Sequence, residues 1–292
     1  MSSILQDLKL QYKTGDMATK LIFWEVFLFL IITVISVFSP SIVEKFVGCI
    51  ALPGTWQALI VKPWTLITYS FFHVRFFHLL FNMLMLLFAG RLFTTFFTQK
   101  QFIGLYILGG ILGGLVFIAG YQLFPMLRGY GQSLIGASAS VMAILVATTV
   151  YQPDYNIRIG FIGNIKLWHI ALVFLLLDLI QLPIKNSGGH LAHLGGALFG
   201  FIYIKVLRSG TDLTSGLNVV LDWIATLFSA KKSTPFKKVH KNVKTNTTKT
   251  TSRVVTKDKT QQQIDEILDK ISQSGYDSLT KEEKEFLFKA GK

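Results

Sequence analysis

Long apolar segments, separated by short polar or aromatic connections, dominate the chain as far as residue 210. Each segment is close to the ~20 apolar residues that an α-helix needs to cross a bilayer. We therefore predict six membrane-spanning helices, at residues 21–38, 66–96, 102–124, 134–151, 167–183 and 191–206. No small-residue cleavage site follows the first segment, so it is interpreted as an uncleaved span. The predicted fold class is all-α, a polytopic membrane protein with a six-transmembrane-helix bundle.

The pattern changes after residue 210. Apolar residues at helical spacing over 217–228 predict an amphipathic helix that can lie on the membrane. A stretch rich in Lys, Thr, Ser and Asn follows and is typical of a disordered linker. A last apolar stripe and the capping-box pair Thr280 and Glu283 predict a small helical hairpin. The predicted organisation is a cytoplasmic segment at 1–20, a membrane domain at 21–210, an amphipathic helix at 211–230, a basic linker at 231–261 and a hairpin at 262–292.

Composition and charge indicate a membrane body with a basic tail. Of the 292 residues, 51% are apolar and 15% are charged, with a mean hydropathy of +0.49 and a formal net charge of +13. The excess positive charge is concentrated near the C-terminal end, without interleaved aromatic residues, so nucleic-acid binding is disfavoured and anionic lipid is favoured. The single cysteine, Cys49, excludes an internal disulfide. We expect no metal and no cofactor.

The distribution of lysine and arginine among the connections predicts the orientation. Up to residue 210, nine of these residues lie on the side that carries both termini and five lie on the other side. Cytoplasmic connections carry the excess of Lys and Arg, so both termini are expected in the cytoplasm, at a bacterial plasma membrane. Ser138 and His193 then lie at similar depth, a few residues below the outer surface.

Polar side chains inside apolar spans are costly, so each is expected to have a partner or a task. A nucleophilic serine needs a base. Ser138 lies near the start of the fourth span, and His193 shares a face of the sixth span with Gly196 and Gly200. These glycines allow close approach to a neighbouring helix, so His193 meets the groups that this neighbour offers. The alternative for each residue taken singly is structural: a serine that caps a helix and a histidine in a packing contact.

His78 and Asn82 share one face of the second span, because residues four apart are about 40° apart around a helix. Two hydrogen-bond donors on one face could converge on a negatively charged oxygen. Hydrogen bonding between helices is the alternative. His73, five residues before His78, points elsewhere and is interpreted as structural.

Three motifs occur in order, each in its own predicted span: His-x4-His-x3-Asn, Gly-x-Ser-x and Ala-His-x-x-Gly. They are present as His73, His78 and Asn82, as Gly136 to Ala139, and as Ala192 to Gly196. Over about residues 20–207, the chain therefore resembles the rhomboid family of intramembrane serine proteases.

The resemblance implies a role for each matching residue. Ser138 would be the nucleophile and His193 the general base, while His78, Asn82 and the Ser138 backbone N–H would form the oxyanion hole. The structural residues of the motifs are His73, Gly136, Gly196 and Gly200. Because the motifs position no acid beside His193, a Ser-His dyad is expected. Outside the motifs, His190 is interpreted as structural, and no role is assigned to Asp178 or Glu25.

The function implied by the resemblance is that of an intramembrane serine endopeptidase. It would cleave single-span membrane proteins near the outer face of the membrane. The alternative is a catalytically inactive relative that binds membrane clients; such relatives usually lack the serine or the histidine, and both are present here. A transporter or proton channel is a third hypothesis, disfavoured because no inverted repeat with broken helices is visible. The expected partners are transmembrane substrates and the lipid bilayer, and the oligomeric state is left open.

Overall fold

The computed structural model describes residues 3–124, 133–160, 163–183, 186–228 and 259–290. The chain divides into two units, residues 1–232 and 233–292, and each is described by itself. The basic linker predicted at 231–261 lies outside the described residues up to residue 258.

The first unit is mostly helical. Its described elements, in chain order, are α1 (Ile4–Thr14), α2 (Met17–Phe38), α3 (Pro40–Ile50), β1 (Leu52–Pro53), α4 (Trp56–Val61), α5 (Thr65–Thr68), a 3-10 turn (Tyr69–Phe71), α6 (Phe76–Thr94), α7 (Gln99–Leu123), β2 (Ser133–Leu134), α8 (Ser138–Tyr151), β3 (Asn156–Ile159), β4 (Gly163–Lys166), α9 (Leu167–Gln181), α10 (Ser187–Arg208) and α11 (Ser215–Phe228).

The bundle is an all-α, polytopic membrane fold. Among the described helices, α2, α6, α7 and α10 are each long and apolar enough to cross a membrane. The apolar helices α8 and α9 are shorter, with 14 and 15 residues. At about 1.5 Å per residue, α8 is about 21 Å long, which is less than the ~30 Å of a hydrocarbon core. At least one end of α8 therefore lies within the depth that the longer helices span.

Helix α8 is the centre of the packing. All but three of its residues are buried. Helices α6, α7 and α10 surround it and contribute to the same apolar cluster. Its small residues let these neighbours come close, because helix association in a membrane depends on packing rather than on exclusion of water.

Two predicted spans begin later than the hydrophobic pattern indicates. Helix α6 begins at Phe76, and the apolar stretch before it forms the short helix α5 and the 3-10 turn. Helix α8 begins at Ser138, and β2 just before it pairs antiparallel with β1. Composition alone does not distinguish an apolar membrane-spanning helix from an apolar connection that is buried and hydrogen-bonded to neighbouring segments. One such local contact is the hydrogen bond from Thr68 Oγ1 to the Ile50 carbonyl, at 2.9 Å.

The second unit contains α12 (Lys259–Ser274), a 3-10 turn (Tyr276–Ser278) and α13 (Lys281–Ala290). The capping box predicted from Thr280 and Glu283 is present. The Thr280 N–H donates to Glu283 Oε2 at 2.8 Å, and the Glu283 N–H donates to Thr280 Oγ1 at 3.3 Å. These bonds satisfy N–H groups at the start of α13 that have no partner within the helix.

Candidate active site

A tight turn delivers Ser138 to the start of α8. Gly136 has a φ of +129°, and a Cβ at this position would lie 2.5 Å from Cε1 of His78. Glycine is therefore required here both by the backbone conformation and by the approach of the imidazole ring. The Gly136 N–H donates to the Tyr69 carbonyl at 2.9 Å. The turn is thus held between the His78 ring and the backbone of the segment before α6.

Ser138 is the first residue of α8 and is half-buried. The first N–H groups of a helix have no acceptor within the helix and lie at the positive end of its dipole. The Ser138 amide is therefore suited to stabilise negative charge that develops beside its own hydroxyl.

Two glycines of α10 bring His193 to the level of Ser138. A Cβ at Gly196 would overlap the carbonyl oxygen of Ala139, and a Cβ at Gly200 would overlap the carbonyl oxygen of Ala143. Gly196 lies one turn after His193, and Ala139 directly follows Ser138. Because α8 and α10 touch through their backbones at this point, the serine and the histidine lie on facing helices at the same level. In the part of the chain that the structure describes, no hydrogen bond joins Ser138 to His193.

An acidic side chain is positioned on His193. Oδ1 of Asp178, in α9, lies 2.7 Å from Nδ1 of His193 and 2.7 Å from Nδ1 of His190. Asp178 is 5% exposed, and the His193 side chain is 21% exposed. A carboxylate only accepts hydrogen bonds, so both Nδ1 atoms carry protons and donate to it. The Nε2 atom of His193 is then left as a proton acceptor.

This arrangement corrects the prediction of a dyad in which no acid orients His193. The sequence identifies Asp178 as a costly residue in an apolar span and identifies His190 near the start of the sixth span. It does not show that they meet, because the rotation of α9 relative to α10 sets that contact. The three ligand atoms also lie within 4.8 Å of one another, a spacing that could hold a metal ion. The two hydrogen bonds are sufficient to explain this spacing.

The side chains predicted to donate to the oxyanion, His78 and Asn82, differ in burial and in their contacts. His78 is half-buried and lies against Gly136, two residues before Ser138. Asn82 is buried, and its Nδ2 donates to the carbonyl of His78 at 2.8 Å, within α6. An amide nitrogen has two protons, so Asn82 has one more to offer.

His73 lies before α6 rather than inside it, and it is fully buried. Its Nε2 accepts a hydrogen bond from the Ala137 N–H at 3.3 Å. The residue interpreted as structural therefore binds the backbone of the turn that carries Ser138. Its other ring nitrogen faces Glu25 of α2, at 3.5 Å from Oε2.

Comparison with known proteins identifies the family of the chain. The family model for the rhomboid domain matches residues 61–210, just over half of the 292-residue chain. The chain belongs to the rhomboid family. All the rhomboid motif residues and Asp178 lie within the matched range, whereas Glu25 precedes it. Residues 254–289 match a second family model, described as a family of unknown function.

Curated relatives of this rhomboid protein cover only part of its length. The presenilin-associated rhomboid-like protein A, mitochondrial, of Danio rerio is 30% identical over 138 residues, which is 46% of this chain and 35% of that protein. The presenilin-associated rhomboid-like protein, mitochondrial, of Rattus norvegicus is 29% identical over 149 residues, 50% of this chain and 38% of that protein. The protein of the same name from Homo sapiens is 28% identical over 149 residues, again 50% of this chain and 38% of that protein. The chain thus spans little more than a third of the length of these relatives.

Proposed function

We propose that this rhomboid-family protein is an intramembrane serine endopeptidase that cleaves single-span membrane proteins near the outer face of the membrane. The observation that carries the proposal is the contact between Asp178 and His193 Nδ1, beside the point where α10 touches the backbone next to Ser138. A histidine whose Nδ1 donates to a carboxylate has a fixed tautomer and a basic Nε2, which is what a nucleophilic serine requires.

The proposed reaction uses these residues in sequence. Ser138 Oγ attacks the scissile carbonyl carbon as its proton passes to His193 Nε2. The carbonyl oxygen becomes an oxyanion, which accepts hydrogen bonds from the Ser138 N–H, His78 and Asn82. The C–N bond then breaks, and His193 returns the proton to the leaving amine. Water, deprotonated by the same histidine, hydrolyses the acyl-enzyme and restores the Ser138 hydroxyl.

The position of the site accounts for the expected cleavage near one face. Ser138 is the first residue of α8, so the proposed site lies toward the end of the bundle at which α8 begins. With both termini in the cytoplasm, as the distribution of Lys and Arg favours, this end faces outward. The proposed location is a bacterial plasma membrane.

A catalytically inactive membrane-client binder is the second candidate. It is favoured by one observation: within the described residues, Ser138 and His193 share no hydrogen bond. Catalytic hydrogen bonds are often long in the absence of substrate and tighten only in the complex, so the geometry is compatible with either candidate.

The test is cleavage of a labelled single-span substrate by the purified full-length protein in detergent. The parent is compared with Ser138→Ala and His193→Ala. Cleavage by the parent alone supports the protease, and labelling of Ser138 by a fluorophosphonate supports it independently. If several substrates remain intact and bind equally well to all three proteins, the client-binding candidate replaces it.

A further inference from the structure

A chain of buried polar groups links the first span to the turn that presents Ser138. It runs from Ser70 through Tyr106 and Glu25 to His73 and ends at the Ala137 N–H. Glu25 is fully buried and is the only acidic residue of α2. It takes no part in the proposed chemistry and precedes the range that matches the rhomboid domain. A carboxyl group in such a place needs a task.

The hydrogen bond to Ala137 determines the proton on His73. The Ala137 N–H donates to Nε2, at 3.3 Å, so this nitrogen presents a lone pair and carries no proton. His73 is therefore neutral, with its proton on Nδ1. That proton faces Oε2 of Glu25, 3.5 Å away, and neither atom has another partner among the described residues.

The contacts of Tyr106 determine the proton on Glu25. The Tyr106 hydroxyl oxygen lies 2.6 Å from the Ser70 carbonyl oxygen and 2.8 Å from Glu25 Oε1. A hydroxyl has one proton and a carbonyl oxygen can only accept, so Tyr106 donates to Ser70. The contact with Glu25 then requires that Oε1 carry a proton and donate it to the tyrosine oxygen. Oε2 is left as the carbonyl oxygen that faces the His73 Nδ1–H.

In this assignment every residue in the chain of polar groups is neutral, and each contact between neighbours contains one proton. An ion pair between Glu25 and a cationic His73 conflicts with two contacts. It would put a proton on His73 Nε2, opposite the Ala137 N–H. It would also leave no proton between the Tyr106 hydroxyl oxygen and Glu25 Oε1. Burying ions in a site with no exposure is also strongly unfavourable.

We propose that Glu25 is a positioning residue which, as a neutral carboxylic acid, holds His73 and through it the Ala137–Ser138 turn. The proposed protease function is assumed for the kinetic consequence, though not for the assignment of the proton. The Gly136 N–H donates to the Tyr69 carbonyl, and the Ala137 N–H donates to His73 Nε2. Both residues before Ser138 are therefore hydrogen-bonded to the segment 69–73. Glu25 fixes the histidine end of that attachment from α2.

The experiment compares Glu25→Gln with Glu25→Ala in the full-length protein. Glutamine retains one N–H donor for Tyr106 and one oxygen acceptor for His73, which mimics the neutral acid. Its kcat is expected to stay close to that of the parent. Alanine frees His73, and a small displacement of the nucleophile is expected to lower kcat by about 10²-fold, with KM unchanged. Glu44→Gln, on the exposed part of α3, is the matched control.

One further variant keeps the test decisive if Glu25→Ala does not fold. Tyr106→Phe removes the acceptor of the Glu25 proton but keeps the ring, and it is expected to lower kcat less than Glu25→Ala. If Glu25→Gln loses as much kcat as Glu25→Ala or Tyr106→Phe, the carboxyl is ionised and the proposal is overturned. Full kcat in Glu25→Ala or in Tyr106→Phe would also overturn it.

Infrared spectroscopy separates this proposal from the protease function. The parent at neutral pH is expected to show the C=O band of a protonated carboxylic acid, which Glu25→Gln lacks and Ser138→Ala retains. If the band is present but the parent cleaves nothing, the proton assignment stands and the protease function fails. If the parent cleaves its substrate and the band is absent, the protease function stands and the role of Glu25 fails.

Discussion

Asp178 of α9 lies 2.7 Å, oxygen to nitrogen, from Nδ1 of His193 in α10, and the same oxygen lies 2.7 Å from Nδ1 of His190. One buried carboxylate therefore orients two imidazole rings across a helix–helix contact. Its effect on His193 is to fix the ring rotation and to leave Nε2 free of a proton. This relationship is the strongest structural argument for base chemistry at the site.

Replacing Asp178 by asparagine is expected to reduce kcat with little change in KM. The amide can donate to His193 Nδ1 and so favour the tautomer with its proton on Nε2, which cannot accept from serine. We expect a loss of about 10²–10⁴-fold in kcat, by analogy with triads in which the acid is changed to an amide. The measurement is steady-state cleavage of a single-span substrate. Asp154→Asn, at an exposed ion pair with Lys166, is the control, and equal activity in the two variants would contradict this role.

Gly196→Ala is expected to force α8 and α10 apart. The new Cβ would overlap the carbonyl oxygen of Ala139, and backbone cannot yield as a flexible side chain does. Overpacking of this kind typically destabilises a protein by about 1–3 kcal/mol. Thermal unfolding in detergent measures the loss, and cleavage is expected to fall with it.

Gly48→Ala in α3 is the matched control for that substitution. Nothing lies within 4 Å of a Cβ at Gly48, and the residue is in a helix. Alanine is expected to leave stability unchanged or to raise it by up to about 1 kcal/mol. If Gly196→Ala and Gly48→Ala both unfold at the same temperature as the parent, the close contact at Gly196 does not contribute to stability.

The single cysteine offers a test of orientation. Cys49 is exposed in α3, one span after the N-terminus. If both termini are cytoplasmic, a membrane-impermeant maleimide is expected to label Cys49 in intact cells. A Cys49→Ser variant that carries Gln11→Cys, in exposed α1, is expected to react only after permeabilisation. The reverse pattern would place the termini outside.

The C-terminal hairpin is expected to lose stability in acid. Lys270 Nζ donates to Glu283 Oε1 at 2.9 Å and to Oε2 at 3.0 Å. These bonds, and then the one from the Thr280 N–H, hold the pKa of the Glu283 carboxyl below its ordinary 4.5. Because the folded pKa lies below the unfolded one, the contribution to stability is complete above 4.5 and is lost as the pH falls through the folded value.

The check on the hairpin is an NMR titration of the Glu283 carboxyl in the full chain. Lys270→Gln is expected to move its pKa back towards 4.5, because the largest cause of the shift is removed. Lys289→Gln in the same helix is the control and is expected to leave the pKa in place. A pKa that does not respond to Lys270→Gln would show that the pair does not form.

The sequence alone determined the fold class, the identity of the motif residues and the glycine-containing face of the sixth span, though not that this face packs against α8. These properties depend on local composition and spacing: the length of an apolar run, three motifs in order, and glycines one turn apart. Only the tertiary structure decided that the second span begins at Phe76, after His73, and that the fourth begins at Ser138. It also decided that Asp178 binds His193 and that Glu25 lies beside His73. Such contacts depend on the rotation of one helix relative to another, and in an apolar segment the sequence does not specify that rotation.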